Sequence, residues 1–259
     1  MAKYKCMLSY DGTHFSGFQI QTNKRTIQGE LEQALAKIHK GSPIRIHPSG
    51  RTDTGVHALE QTIHFESPLE LSSYNWCQAM NTLLPDDIVV KQVVSVPDSF
   101  HARYDAETKE YRYYVWNEKE IDVFKRNYAY QFRYPLDVAA MQEACHYFKG
   151  THDFTTFSSA KATIRGSKTR TLHHVACHQQ ESQIEFIFHG SGFLYNMVRI
   201  IVGTLLDIGQ GKRKAVDIPW LLEQKDRRLL GMTVPPQGLY LWKVTYGQAE
   251  PHNPDTLDS

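Results

Sequence analysis

The stretch Ser49-Gly50-Arg51-Thr52-Asp53-Thr54-Gly55-Val56-His57-Ala58 has the residue types and the spacing to do chemistry. One carboxylate, Asp53, stands between two threonines that can hydrogen-bond local backbone. The two glycines outside them permit backbone angles that other residues avoid. The loop is therefore stiff, and it holds Arg51 two residues from Asp53. A buried or half-buried aspartate beside a guanidinium stays ionised, as a nucleophile or base must be. The same residues fit a plainer reading, a turn aspartate with a surface arginine as its partner.

The flanking pattern sets where such a loop sits. Residues 3–9 alternate with the period of a strand, Tyr4, Cys6 and Leu8 on one face. Thr26 is an N-cap for a helix carrying Ile27, Leu31, Ala34, Leu35 and Ile38 on one stripe. A short strand at 44–47, a strand at 61–66, a helix at 74–84 capped by Ser72 or Ser73 and stopped by Pro85, and a strand at 87–96 complete a β-α-β-β-α-β order. The second half repeats it. Strand 110–117 is followed by a helix capped by Asp137, a hairpin of 171–179 with 183–189, an apolar helix at 193–208 and a strand at 238–246.

The expected fold class is thus α+β: two pseudo-repeated ferredoxin-like or RRM-like halves whose antiparallel sheets meet at a central RNA-binding cleft. The expected division is 1–100 for the half carrying the aspartate loop, 101–248 for the second half, and 249–259 for an acidic tail. In the second half a few polar residues join the middle strands. In the first half the connection is the excursion 48–60 that contains Asp53. A turn needs far fewer residues, and an oversized, glycine-hinged loop is a place for function.

Composition describes an ordinary soluble protein, 41 % hydrophobic and 22 % charged. No signal peptide or membrane span is expected: the most apolar run, 193–208, contains Asn196, Arg199 and Asp207. Cys6, Cys77, Cys145 and Cys177 lie far apart in apolar patterns. They read as buried free thiols of a cytoplasmic protein. Net charge is only +1, but its distribution says more. Between 154 and 180 stand Lys161, Arg165, Lys168 and Arg170 with no acid, a local potential suited to a phosphate backbone.

Arg199 lies mid-run in the apolar helix, where an unpaired guanidinium is costly. Either an anion meets it, with Asp53 the candidate, or its stem packs while its head reaches solvent. Phe100-His101-Ala102-Arg103 and the strand around Tyr111-Arg112-Tyr113-Tyr114 interleave cations and rings. Such stretches suit bases stacked on aromatics with cations on phosphates, although aromatic strands are also ordinary core material. The 13 histidines invite a metal reading. In the densest cluster, His173, His174, Cys177 and His178, strand alternation splits the ligands, and no Cys-x-x-Cys occurs. No metal site is expected. No Walker or GxGxxG sequence is present, so no nucleotide cofactor is expected either.

The chain resembles the tRNA pseudouridine synthase A family nearly end to end. The matching stretches are Tyr10-Asp11-Gly12-Thr13; Gly50-Arg51-Thr52-Asp53-Thr54-Gly55-Val56-His57-Ala58; Asn81 with Leu84-Pro85; Phe100-His101-Ala102-Arg103; Lys109-Glu110-Tyr111-Arg112-Tyr113; Gly150-Thr151-His152-Asp153-Phe154; Phe193-Leu194-Tyr195-Asn196-Met197-Val198-Arg199; and Pro235-Pro236-Gln237-Gly238-Leu239-Tyr240-Leu241. Departures are Ser49, where the family often has Ala, and Gly231-Met232-Thr233.

The resemblance implies isomerisation of uridine to pseudouridine at positions 38, 39 and 40 of tRNA, in the anticodon stem-loop. It implies a cytoplasmic homodimer without cofactor or essential metal. It assigns Asp53 as the catalytic aspartate, Tyr111 as the tyrosine packed on the target base, Arg199 as the partner of the aspartate and Arg51 as the residue tied to base flipping. Lys161, Arg165 and Lys168 are expected to contact the tRNA backbone. Two rival readings are a non-catalytic RNA-binding module and a carboxylate nucleosidase, which would pair Asp53 with a second carboxylate.

Overall fold

The computed structural model describes residues 1–159 and 166–247. Among them are ten strands, mainly antiparallel, and five α-helices. They divide into two compact units, one of residues 1–107 with the chain from Leu241, the other of residues 108–240. No helix among the described residues is long and apolar enough to cross a membrane.

The first unit begins with β1 (Ala2–Tyr10), whose alternation puts Tyr4, Cys6, Leu8 and Tyr10 in the core. Next come α1 (Ile27–Ile38), β2 (Ile46–Pro48), β3 (His57–Ser67), α2 (Ser73–Leu83) and β4 (Ile88–Val96). β1 lies between β4 and β3, antiparallel to both. β2 pairs with β3, and β10 (Leu239–Tyr246) also lies beside β3. The helices start where the caps predict: Thr26 accepts from Gly29 N–H at 3.2 Å, and Ser72 from Asn75 N–H at 3.2 Å. Trp76 of α2 packs on Tyr4 and Phe65 with centroids 5.2 and 5.3 Å away, closing the core on one face of the sheet.

The second unit orders its strands β5 (Ala106–Trp116), β9 (Gln183–Gly190), β8 (Thr169–Gln180) and β7 (Gly150–Asp153), with β6 (Tyr130–Gln131) parallel to β5. Helix α3 (Val138–Tyr147), capped by Asp137, packs on β8 and on α4 (Met197–Gly209). A shorter helix, α5 (Ile218–Gln224), follows. Phe186, Phe188, Tyr113, Val115 and the apolar faces of α3 and α4 form this core.

Two expectations change. The apolar helix begins at Met197 rather than 193, because Asn196 takes the left-handed conformation, φ 60°. Strand β3 begins at His57, so the excursion ends at 56 rather than 60. β6, β7 and α5 are too short to leave a periodic signal. The acidic tail falls outside the described residues.

Candidate active site

The loop 49–56 joins β2 to β3, and its shape is set from inside. Val56 N–H donates to Asp53 O at 3.1 Å, closing a four-residue turn. Gly55 at its third position has φ 75°, the positive angle that a type II turn requires.

Its position is set from outside, by the connection after β1 and by one residue of β3. An ideal Cβ on Gly12 would lie 2.1 Å from Val56 O, so only glycine allows this approach. Gly17 takes φ 90°, where an ideal Cβ would lie 3.0 Å from Thr52 O, and Phe18 N–H donates to that carbonyl at 3.0 Å. Buried Gln61 uses all four of its hydrogen-bonding positions. Its amide N–H groups donate to Gly50 O at 2.9 Å and Tyr10 Oη at 3.3 Å. Its carbonyl accepts from Ser49 Oγ at 2.7 Å and Thr62 N–H at 3.2 Å. Tyr10 Oη also shares a hydrogen bond with Thr52 Oγ1, 2.7 Å away. Burial pushes the Tyr10 phenol up to about 12, so it stays protonated at neutral pH.

His57, also buried, places Nδ1 3.0 Å from Gly12 N and 3.1 Å from Asp11 Oδ1. A neutral ring accepts from Gly12, and a protonated ring donates to Asp11. In either state it ties the turn after β1 to the end of the loop.

On this frame Asp53 is half-buried, Thr52 buried and Arg51 exposed. The other candidates stand in the second unit. Tyr111, on β5, is half-buried, and its ring meets Phe193 edge-on at 4.9 Å. Its strand neighbours on the same face, Tyr113 and Val115, are fully buried core.

Arg199 is in the first turn of α4 and half-buried. Its Nε donates to Val234 O at 2.7 Å and its Nη1 to Asn196 Oδ1 at 3.0 Å. These two neutral acceptors orient the guanidinium. Tyr113 O–H donates to the adjacent Pro235 O at 2.8 Å, joining β5 to the same support. Lys168 is half-buried just before β8. Lys161 and Arg165 lie outside the described residues.

The structure thus joins Arg51 to Asp53 in one braced loop, and Tyr111 to Arg199 through the segment 193–199. Gln61, which holds the loop, carried no sequence signal, since its partners Tyr10, Ser49 and Gly50 are remote along the chain.

Three histidines that sequence spacing did not group, His47, His64 and His101, have ligand atoms within 4.8 Å of one another. Their geometry does not suit an ion. Backbone N–H groups of Ala102 and Arg103 donate to Nδ1 of His64 and His101, both at 3.1 Å. Each ring therefore carries its proton on Nε2, whereas a metal-bound imidazole donates its second N–H outward. His47 and His64 also stack, 18° from parallel, and two stacked rings cannot share one in-plane ligand.

The model of the family described as tRNA pseudouridine synthase matches residues 7–105 and 144–247. A protein of Oceanobacillus iheyensis named tRNA pseudouridine synthase A is 58 % identical over 246 residues, covering 95 % of this chain and 97 % of the relative. Proteins of the same name from Geobacillus kaustophilus, 55 % identical, and Bacillus cereus (tRNA pseudouridine synthase A 1), 53 % identical, cover 94 % and 95 % of this chain, and 94 % and 99 % of their own lengths. A solved structure named "Crystal Structure of a Cbf5-Nop10-Gar1 Complex" overlaps with a TM-score of 0.34 at 12 % identity, over 78 % of this chain and 54 % of that one; so low a score carries no weight. On the sequence match, which spans both described units, the chain belongs to the tRNA pseudouridine synthase family.

Proposed function

We propose that this protein isomerises uridine to pseudouridine in tRNA, with Asp53 as the catalytic carboxylate. The observation that carries this reading is the braced loop: side chains and glycines from remote positions hold one half-buried aspartate still, in a chain 58 % identical to a tRNA pseudouridine synthase A.

The reaction breaks the bond from the sugar carbon to N1, turns the base and joins the same carbon to C5. The proton on C5 is lost and N1 gains one, so nothing is consumed. A stacked uridine cannot do this, and the base must leave the helix first. Asp53 either attacks the sugar carbon or removes a sugar proton. Both routes need it ionised, and Arg199 serves as its counter-ion. Tyr111 stacks on the displaced uracil, and Arg51 supports the flipped nucleotide. Lys161, Arg165 and Lys168 meet the backbone of the anticodon stem-loop. The two halves are pseudo-repeats of one α/β unit, and the enzyme works in the cytoplasm as a homodimer.

The test is release of tritium from 5-labelled uridine in tRNA. Asp53→Asn is expected to lower it by about three orders of magnitude or more while tRNA binding persists. Release at the wild-type rate would remove Asp53 from the chemistry. Free uracil with abasic tRNA would make the protein a nucleosidase.

A further inference from the structure

The histidine trio belongs to a larger construction on the first unit. β2 sets His47 opposite His64 of β3, with ring centroids 4.9 Å apart. The connection after β4 brings His101 against both, 4.6 Å from His64 and 5.8 Å from His47. Tyr104 then lies on His101 at 4.3 Å, tilted by 35°. His47 is exposed at one end, and from His64 exposure rises from 5 % through half-buried His101 to 75 % at Tyr104. The Arg103 guanidinium stands 5.8 Å from the Tyr104 ring.

The mount is rigid. Besides the two backbone bonds to the histidines, His101 N–H donates to Asp105 at 2.8 Å, and Ala102 O accepts from Tyr246 O–H at 2.7 Å. The Phe100 ring lies 5.3 Å from that of Tyr246, and the Lys5 ammonium sits over both. The strand that carries His47 leads directly into the active-site loop. Asp53 follows His47 by six positions, at most about 20 Å of extended chain.

We propose that Tyr104, backed by His101 and flanked by Arg103, is a nucleobase-stacking contact for tRNA outside the catalytic loop. An unpaired base stacks on the exposed ring, and the guanidinium meets its phosphate. Sequence tolerance follows, because every base offers a flat face. The inference rests on the tRNA reading above but not on the role of Asp53.

Equilibrium binding of unmodified tRNA tests it, measured in both the wild-type and the Asp53→Asn chain so that turnover does not enter. Tyr104→Ala is expected to weaken binding about tenfold in both backgrounds. Tyr104→Phe, which keeps the ring, should stay within about twofold. Arg103→Gln should lower the slope of log affinity against log salt by about one. Tyr74→Ala, at a tyrosine on α2 that is 71 % exposed, should leave affinity unchanged. The proposal is overturned if Tyr104→Ala binds as tightly as wild type, if Tyr104→Phe loses as much as the alanine, or if Tyr74→Ala weakens binding equally. Tyr104-dependent tRNA binding by a wild-type chain that makes no pseudouridine would sink the catalytic reading and leave this one standing.

Discussion

Two antiparallel strand pairs solve the same geometric problem at different lengths. β8 turns into β9 through Glu181 and Ser182 alone, with Glu181 at φ 52°, the kind of short turn that suits twisted strands. β2 reaches β3 through eight residues, 49–56. Ordering each further residue costs on the order of 1 kcal/mol or more of backbone entropy. The short turn is a local matter. The long loop draws its restraints from Tyr10, Gly12, Gly17, Phe18 and Gln61. Residues recruited from that far away hold a loop for something other than joining strands.

The contrast can be broken in four places. Gly12→Ala drives a methyl group into Val56 O. It should cost about 1–3 kcal/mol in denaturant unfolding and lower tRNA modification about tenfold or more, because the backbone of the loop must shift. An active, equally stable variant would show that the loop tolerates movement.

Gln61→Leu leaves the Gly50 carbonyl without its amide donor. A loss of about 1–3 kcal/mol with reduced turnover is expected. Unchanged unfolding would mean that water replaces the amide.

Acid should weaken the β2–β3 side through His64. Burial, helped by the neighbouring His101 and His47, lowers His64 from 6.5 to about 4. The unfolded chain therefore takes the proton first as pH falls below 6.5. Stability drops through that window, and the whole penalty is reached below about 4. Allowing for screening and coupling among the three rings, it amounts to about 1–2 kcal/mol. His64→Gln, whose carbonyl can still accept from Ala102 N–H, should flatten the thermal-melting profile between pH 6.5 and 4. A profile as steep as wild type would assign the drop to other groups.

The smallest effect belongs to the short turn. Glu181→Gly relieves a left-handed angle and should shift stability by less than about 1 kcal/mol, with tRNA modification unchanged. Lost activity would mean that the β8–β9 turn is more than a connector.

Local chemistry made much of this protein legible in its sequence. Thr26, Ser72 and Asp137 cap helices because a side-chain oxygen meets an N–H three residues on, a bond that needs no tertiary partner. Strand alternation, the surplus length of the Asp53 loop and its glycines are equally local. The start of α4 was not legible, since the apolar pattern runs through Asn196 without recording its left-handed turn. Nor were the brace and the ring ladder. Gln61 meets Tyr10 from 51 positions away, and His47, His64 and His101 have no common spacing. Residue types and near-neighbour spacing set which groups this chain carries and which turn holds Asp53. Only strand register and the packing of remote loops decided which groups restrain one another, because those contacts exist only once the chain has closed on itself.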